Sequence, residues 1–402
     1  MASTFGWFAI DPDERRRMME AVDQFRDKTT VDDLGIGQIR DSFADLFFPG
    51  ISTLHTRIRY VLFLPWLMEI ASRQDTIEAM HFEMRDLETI LITALETGGE
   101  LTGVIGQDAR KNLSRPPSVM YWSALKAWGI ISEDLTLRNY FERCFWQRQQ
   151  DGKAPVRENA DVASHEIDLG IHQYLPLNPG GLLTSTTFAL TAGEAEYLRQ
   201  NISYFQRDSL LAYLVQNRPS LWHDSDFNVE YCWDPMITED LPAELQRPID
   251  LAERFSFYSH GASLLYNLML ADKSGHEAQE NYQEKLQRWS EEATDMATLE
   301  HSDQLDIWAI VTGQNRSLSG QTKEFFSTWF ESVPRVENPA TNLALRRLIS
   351  EREFQTKKNR ARLHNKKSLD NWGGKSGATR LDFRWRFVQS HLQDIYAGLG
   401  EI

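Results

Sequence analysis

Cysteine is nearly absent. Cys144 and Cys232 are the only two in 402 residues, too few and too far apart for a disulfide framework or a structural zinc site, and a reduced cytoplasmic setting is expected. Long apolar runs are also missing: the most apolar stretch, residues 60–68, is nine residues long and contains Pro65. The first ten residues carry neither a basic start nor an extended apolar core, so neither secretion nor a membrane span is expected. No run of alternating β-branched residues occurs, which leaves few strands and predicts a mostly α, multi-helical chain of two domains.

Catalytic signatures are missing as well. There is no Gly-x-Ser-x-Gly and no Glu-x-Lys, and the sole Asp-x-Lys, Asp151 to Lys153, sits in a Gly-Pro loop. His165-Glu166 with Asp168 and His172 lacks the i, i+4 histidine spacing of a zinc-protease helix, and His223 beside Asp224 and Asp226 reads as a capping or surface group. No cofactor or metal is expected, and the reading leans away from an enzyme.

What is present is a charge asymmetry. Lys and Arg number 43 against 58 Asp and Glu, a net of −15. Residues 351–402 hold 11 basic and 6 acidic side chains, so a segment of +5 follows a body of −20. A basic segment on an acidic body is the electrostatic mark of a surface that meets a polyanion. Ten of its eleven basic residues lie between Lys357 and Arg386, namely Lys357, Lys358, Arg360, Arg362, Lys366, Lys367, Lys375, Arg380, Arg384 and Arg386, interrupted only by Asp370 and Asp382. His364, Trp372, Phe383 and Trp385 lie among them. Ammonium and guanidinium groups neutralise phosphates and aromatic rings stack on bases, so these ten residues are the candidate nucleic-acid-binding set, with DNA as the expected partner. The competing reading docks the strip on the acidic body or on an acidic protein partner.

Two motifs inside this segment come close to known chemistry. Gly374-Lys375-Ser376 ends like a phosphate loop, but Leu369 stands where that loop needs glycine. His364-Asn365-Lys366 with Asp370 resembles the His-x-Lys-x4-Asp signature of phospholipase D-like nucleases, one residue short. A phospholipase D-like nuclease or phosphodiesterase is therefore the alternative of a different class. A protein-protein adaptor without nucleic-acid contact is the other.

The organisation expected is an N-terminal helical domain over 1–150, a linker or irregular crossing over 151–181, a second helical domain over 182–350 and the basic segment 351–402. Asp11, Pro12 and Glu14 open a first helix running to about Lys28. A second should stop at Pro49-Gly50, a third should run over 52–72 with a kink or break at Pro65, and a fourth should cover 76–97 before Gly98-Gly99. Residues 104–131 read as a helix-turn-helix or winged-helix unit. Ser118, Tyr121, Ser123 and Lys126 would lie on its second helix, and Arg110, Lys111 and Arg115 would sit near phosphates. Thr56, Arg57 and Arg59 follow a turn and suit an anion at a helix start, or an ion pair with Asp41 or Asp45. Thr191 to Glu194 is a capping box. Further helices are expected at 135–150, 208–217, 249–272, 276–294, 301–312, 320–332 and 339–355.

Phe5-Gly6-Trp7, Leu34-Gly-Ile-Gly-Gln-Ile-Arg-Asp-Ser-Phe-Ala-Asp-Leu-Phe-Phe-Pro-Gly and Ser52-Thr-Leu-His-Thr-Arg-Ile-Arg-Tyr-Val-Leu-Phe-Leu-Pro-Trp66 resemble a bacterial family, domain of unknown function six-three-six-one. The closing Trp372-Gly-Gly with Leu381-Asp-Phe-Arg-Trp385 is similar to its C-terminal end. The resemblance implies context: a component of a multi-protein phage-defence system, encoded with a helicase, nuclease or methyltransferase that would be its partner. It carries no catalytic residues.

Overall fold

A computed structural model describes residues 32–151, 168–224 and 227–402. The described residues are mostly helical, and their only β pairing is an isolated bridge between Ile131 and Ile171. None of their helices is long and apolar enough to cross a membrane. Cys144 and Cys232 are both buried. The expected helix from Asp11, the greater part of the expected linker, His165, Glu166 and Asp226 lie outside the described residues.

Contacts divide the chain into two compact units, each built from separated stretches of sequence. One combines residues 32–42 with Asp250–Leu381, and the other combines Phe43–Ile249 with Asp382–Ile402. The division does not fall at 151–181, and it cuts the basic segment between Leu381 and Asp382.

In the second of these units the Trp385–Leu399 helix packs on Ala192–Phe205 and Leu210–Gln216, while Ile77–Thr97 packs on Tyr60–Ala71 and on Leu137–Asp151. Trp385, Val388, Leu392, Ile395 and Tyr396 recur at helical spacing and are all buried, so this last helix belongs to the core. Gly398 permits the close approach, since a Cβ there would stand 2.8 Å from the Cβ atoms of both Ala195 and Leu190. The Thr191–Glu194 box forms as expected: the Thr191 hydroxyl accepts from the Glu194 backbone N–H, and the Glu194 carboxylate accepts from the Thr191 N–H. Thr76 likewise caps Ile77–Thr97.

The expected helix over 52–72 starts only at Tyr60, and it continues through Pro65. Residues 52–59 are irregular because their polar groups bond elsewhere. The Tyr121 hydroxyl accepts from the Thr56 N–H at 2.8 Å and donates to the Arg57 carbonyl at 2.8 Å, and the His55 ring stacks on the Tyr121 ring at 4.0 Å. Arg57 meets Asp394 through two nitrogens, at 3.0 and 2.7 Å to Oδ1, and the Ile58 N–H donates to the same carboxylate. Arg59 meets Glu194 at 2.8 Å and donates to the Thr187 carbonyl. Neither arginine takes Asp41 or Asp45 as its partner; both serve as internal fastenings for the motif in which they lie. Asp394→Ala is therefore expected to cost about 3 kcal/mol in urea unfolding, because Arg57 and the Ile58 N–H lose a largely buried partner. A loss below about 1 kcal/mol would show that water replaces the carboxylate at little cost.

Residues 104–131 form a 3-10 turn at Arg110–Asn112 and two short helices, Pro117–Met120 and Trp122–Ala127. The single second helix expected of a DNA-reading unit is broken at Tyr121, which is fully buried. Ser118 is buried with its N–H on Glu88, and Arg110 binds both oxygens of Glu96. Of the candidate reading residues, Ser123 is exposed and Lys126 half-buried.

In the other unit, residues 250–274 of the Ala243–Ser274 helix carry the aromatic core. The Trp289 indole donates to the Phe257 carbonyl at 3.0 Å and lies where a Cβ on Gly261 would stand 2.3 Å away. The Trp329 indole donates to the Tyr258 carbonyl at 2.9 Å. Glycine at 261 thus lets a flat indole approach the helix backbone.

Candidate nucleic-acid interface

The basic segment is folded into the protein, with much of it in buried contacts. In the unit formed by 32–42 and 250–381, Ala361, Leu363, Leu369, Trp372 and Ser376 are buried anchors along it. The Asn267 side chain grips the Ser376 backbone from both sides, donating to its carbonyl and accepting from its N–H, each at 2.7 Å. Glu353 accepts from the Arg362 and Leu363 N–H groups, and the Tyr266 hydroxyl donates to Glu353 at 2.6 Å. The Tyr282 hydroxyl donates to the Gly374 carbonyl. The loop at 373–377 is fixed by these contacts, and its Ser376 hydroxyl donates to Asp33 at 2.5 Å. A serine spent in this way does not form a phosphate-binding loop.

The ten basic residues divide into an inward and an outward set. Arg362 pairs with Asp33 at 2.8 Å, and Lys357 stands 3.7 Å from the same carboxylate. Burial lowers the Lys357 ammonium from its ordinary value, and the Asp33 charge offsets part of that. Arg380 is half-buried with its guanidinium 5.5 Å from the Phe257 ring. In the other unit Arg384 pairs with Asp45 at 2.6 Å and donates to the Ile51 carbonyl. These four side chains hold the fold together. Arg386, also in that unit, is exposed and lies 3.9 Å from Asp382.

Lys358, Arg360, Lys366, Lys367 and Lys375 are exposed, and all belong to the unit of 32–42 and 250–381. Local structure gathers the first four. The Leu343–Lys357 helix ends at Lys358, whose φ of +51° turns the chain sharply into the 3-10 turn Lys358–Arg360. Asn365 caps the short helix Lys366–Asp370 through its side-chain oxygen, and its amide donates to the Asn359 carbonyl at 2.6 Å. One asparagine thereby ties the two basic turns together. Lys273 adds a further ammonium at the same place by donating to the Leu363 carbonyl at 2.5 Å.

The aromatics expected to stack on bases are mostly elsewhere. Trp372, Phe383 and Trp385 are buried, so none can meet a base. His364 is exposed, with its Nε2 3.0 Å from the Ser350 hydroxyl and its ring 5.1 Å from that of Phe354. Phe354, which the charge pattern did not single out, is 45% exposed. Lys366 to Asp370 is one short helical turn, so the His-Asn-Lys and Asp pattern does not lie on a strand. Among the described residues no group of three or more His, Cys, Asp or Glu side chains is disposed to hold a metal ion.

Neither the curated proteins nor the solved structures contain a match to this sequence. Residues 2–398 match the family described as Family of unknown function (DUF6361), and with nearly the whole chain covered, the protein belongs to that family.

Proposed function

We propose that this protein contacts DNA without cutting it, through the exposed set Lys358, Arg360, Lys366, Lys367 and Lys375. The observation that supports this most is the sorting of the basic residues. Those that serve the fold are turned onto Asp33, Phe257 and Asp45, whereas a second group, most of it on two turns that Asn365 ties together, is presented to solvent. Each phosphate neutralised by these cations releases condensed counterions. The strongly acidic remainder of the sequence confines such binding to this patch and leaves other surface for protein partners. That the protein acts inside a multi-protein phage-defence assembly, beside a helicase, nuclease or methyltransferase, is supported by the family resemblance.

Deleting the segment is the wrong test, since residues 357–402 include the buried Trp385, Leu392, Tyr396 and Asp394. Photo-crosslinking the intact chain to bromodeoxyuridine-containing DNA is the right one. Adducts are expected on peptides from 358–375, and adducts confined to other peptides overturn the proposal. Phosphodiester cleavage that disappears in His364→Ala would replace it with the nuclease alternative. Retention of an acidic protein partner, without DNA, by the same five side chains would replace it with the adaptor.

A further inference from the structure

We infer that Phe354 and His364 form a base-stacking platform within the basic patch, and that the preferred ligand is single-stranded nucleic acid. This rests on the DNA-contacting function proposed above and names the form of the ligand.

The Leu343–Lys357 helix buries Leu345, Ile349, Arg352 and Glu353. Ser350 and Phe354, four residues apart, share another face. Phe354 thus leaves the core at the end of the helix where the chain turns into the basic residues. An aromatic ring and a cation lie beside it: the His364 ring at 5.1 Å, inclined by 58°, and the Lys358 ammonium 6.0 Å from its centroid. The Ser350 hydroxyl and the His364 Nε2 lie 3.0 Å apart, which fixes the imidazole against the phenyl ring. A half-exposed phenyl ring on an otherwise polar surface gains nothing from water. Between an imidazole and an ammonium it offers what an unpaired base needs, an aromatic face with cations close enough for the flanking phosphates. In a duplex the base faces are covered by their neighbours, so a ring at the surface finds only sugar and phosphate there. Lys358 sits on a flexible stem, so its ammonium can leave the ring for a phosphate when a base arrives.

The test measures fluorescence anisotropy with two labelled probes, an oligothymidylate and a mixed-sequence duplex of equal length, on the intact wild-type chain, Phe354→Ala and Phe354→Trp. Phe354→Ala is expected to weaken single-strand binding roughly tenfold or more, while duplex binding stays within about twofold. Phe354→Trp should restore or exceed the wild-type single-strand affinity. Thermal unfolding of each variant provides the check on folding, and Phe354→Trp keeps a ring in place if the alanine disturbs the turn. Equal losses on both probes, or no loss on either, overturn the platform while leaving the patch as a DNA contact. A wild-type chain that binds neither probe overturns both.

Discussion

Replacing Lys358, Arg360, Lys366 and Lys367 together by alanine should weaken DNA binding by about 4,000-fold near 0.1 M salt, since each phosphate contact is worth close to a decade there. The same variant should unfold within about 1 kcal/mol of the wild type, because truncating exposed side chains seldom costs more. The paired comparison is with Arg362→Ala, which removes the ion pair to Asp33. That change is expected to cost stability first, with any effect on DNA following from the loosened turn. If the fourfold variant binds as tightly as the wild type, the exposed residues are ordinary solvating charges and the proposal fails.

The second large effect is a loss of stability in mild acid. Burial holds the His391 imidazole down to about 3, assisted by the neighbouring His55, and burial holds His55 down to about 4. Both belong to the unit of 43–249 and 382–402, where their rings lie 5.7 Å apart. In the other unit burial lowers His260 to about 4 as well. In the unfolded chain each would take up a proton near 6.5, whereas folded they stay neutral. The folded-state values lie below the unfolded ones, so this contribution is complete above pH 6.5 and drains away as pH falls toward 4. At pH 5 each histidine should have cost about 2 kcal/mol, so His55 and His391 together remove about 4 kcal/mol relative to pH 7.5. Urea unfolding at the two pH values measures it. His391→Gln should remove about 2 kcal/mol of the pH dependence; an unchanged profile in that variant would assign the acid sensitivity to other groups.

The parts of the fold that could be read directly are those written in local sequence. Thr76 and Gly98 bound one helix, and Thr191 and Glu194 cap another, because capping depends on residues three or four apart. The start at Tyr60 was hidden, since the groups that hold 52–59 out of helix are Tyr121 and Asp394, distant in sequence. The Trp385–Leu399 helix was legible from Trp385, Val388, Leu392 and Ile395, but its basic start drew attention to charge ahead of periodicity. The same emphasis made Trp372, Phe383 and Trp385 look like stacking residues, although each is core. Net charge located the candidate interface. Which of its cations face inward was not legible, because Asp33 and Asp45 reach them only through tertiary folding. The exposure of Phe354 is not legible for the related reason that exposure of a lone aromatic depends on which helix face the neighbours cover.

The slope of log affinity against log salt for DNA and the intact wild-type chain, measured by anisotropy from about 50 to 300 mM, decides most directly whether the exposed cations meet phosphates. A straight line with a slope of about −4, reduced toward zero when Lys358, Arg360, Lys366 and Lys367 are alanine, is the expected result. Binding that ignores salt, or a slope unchanged in the variant, would contradict it.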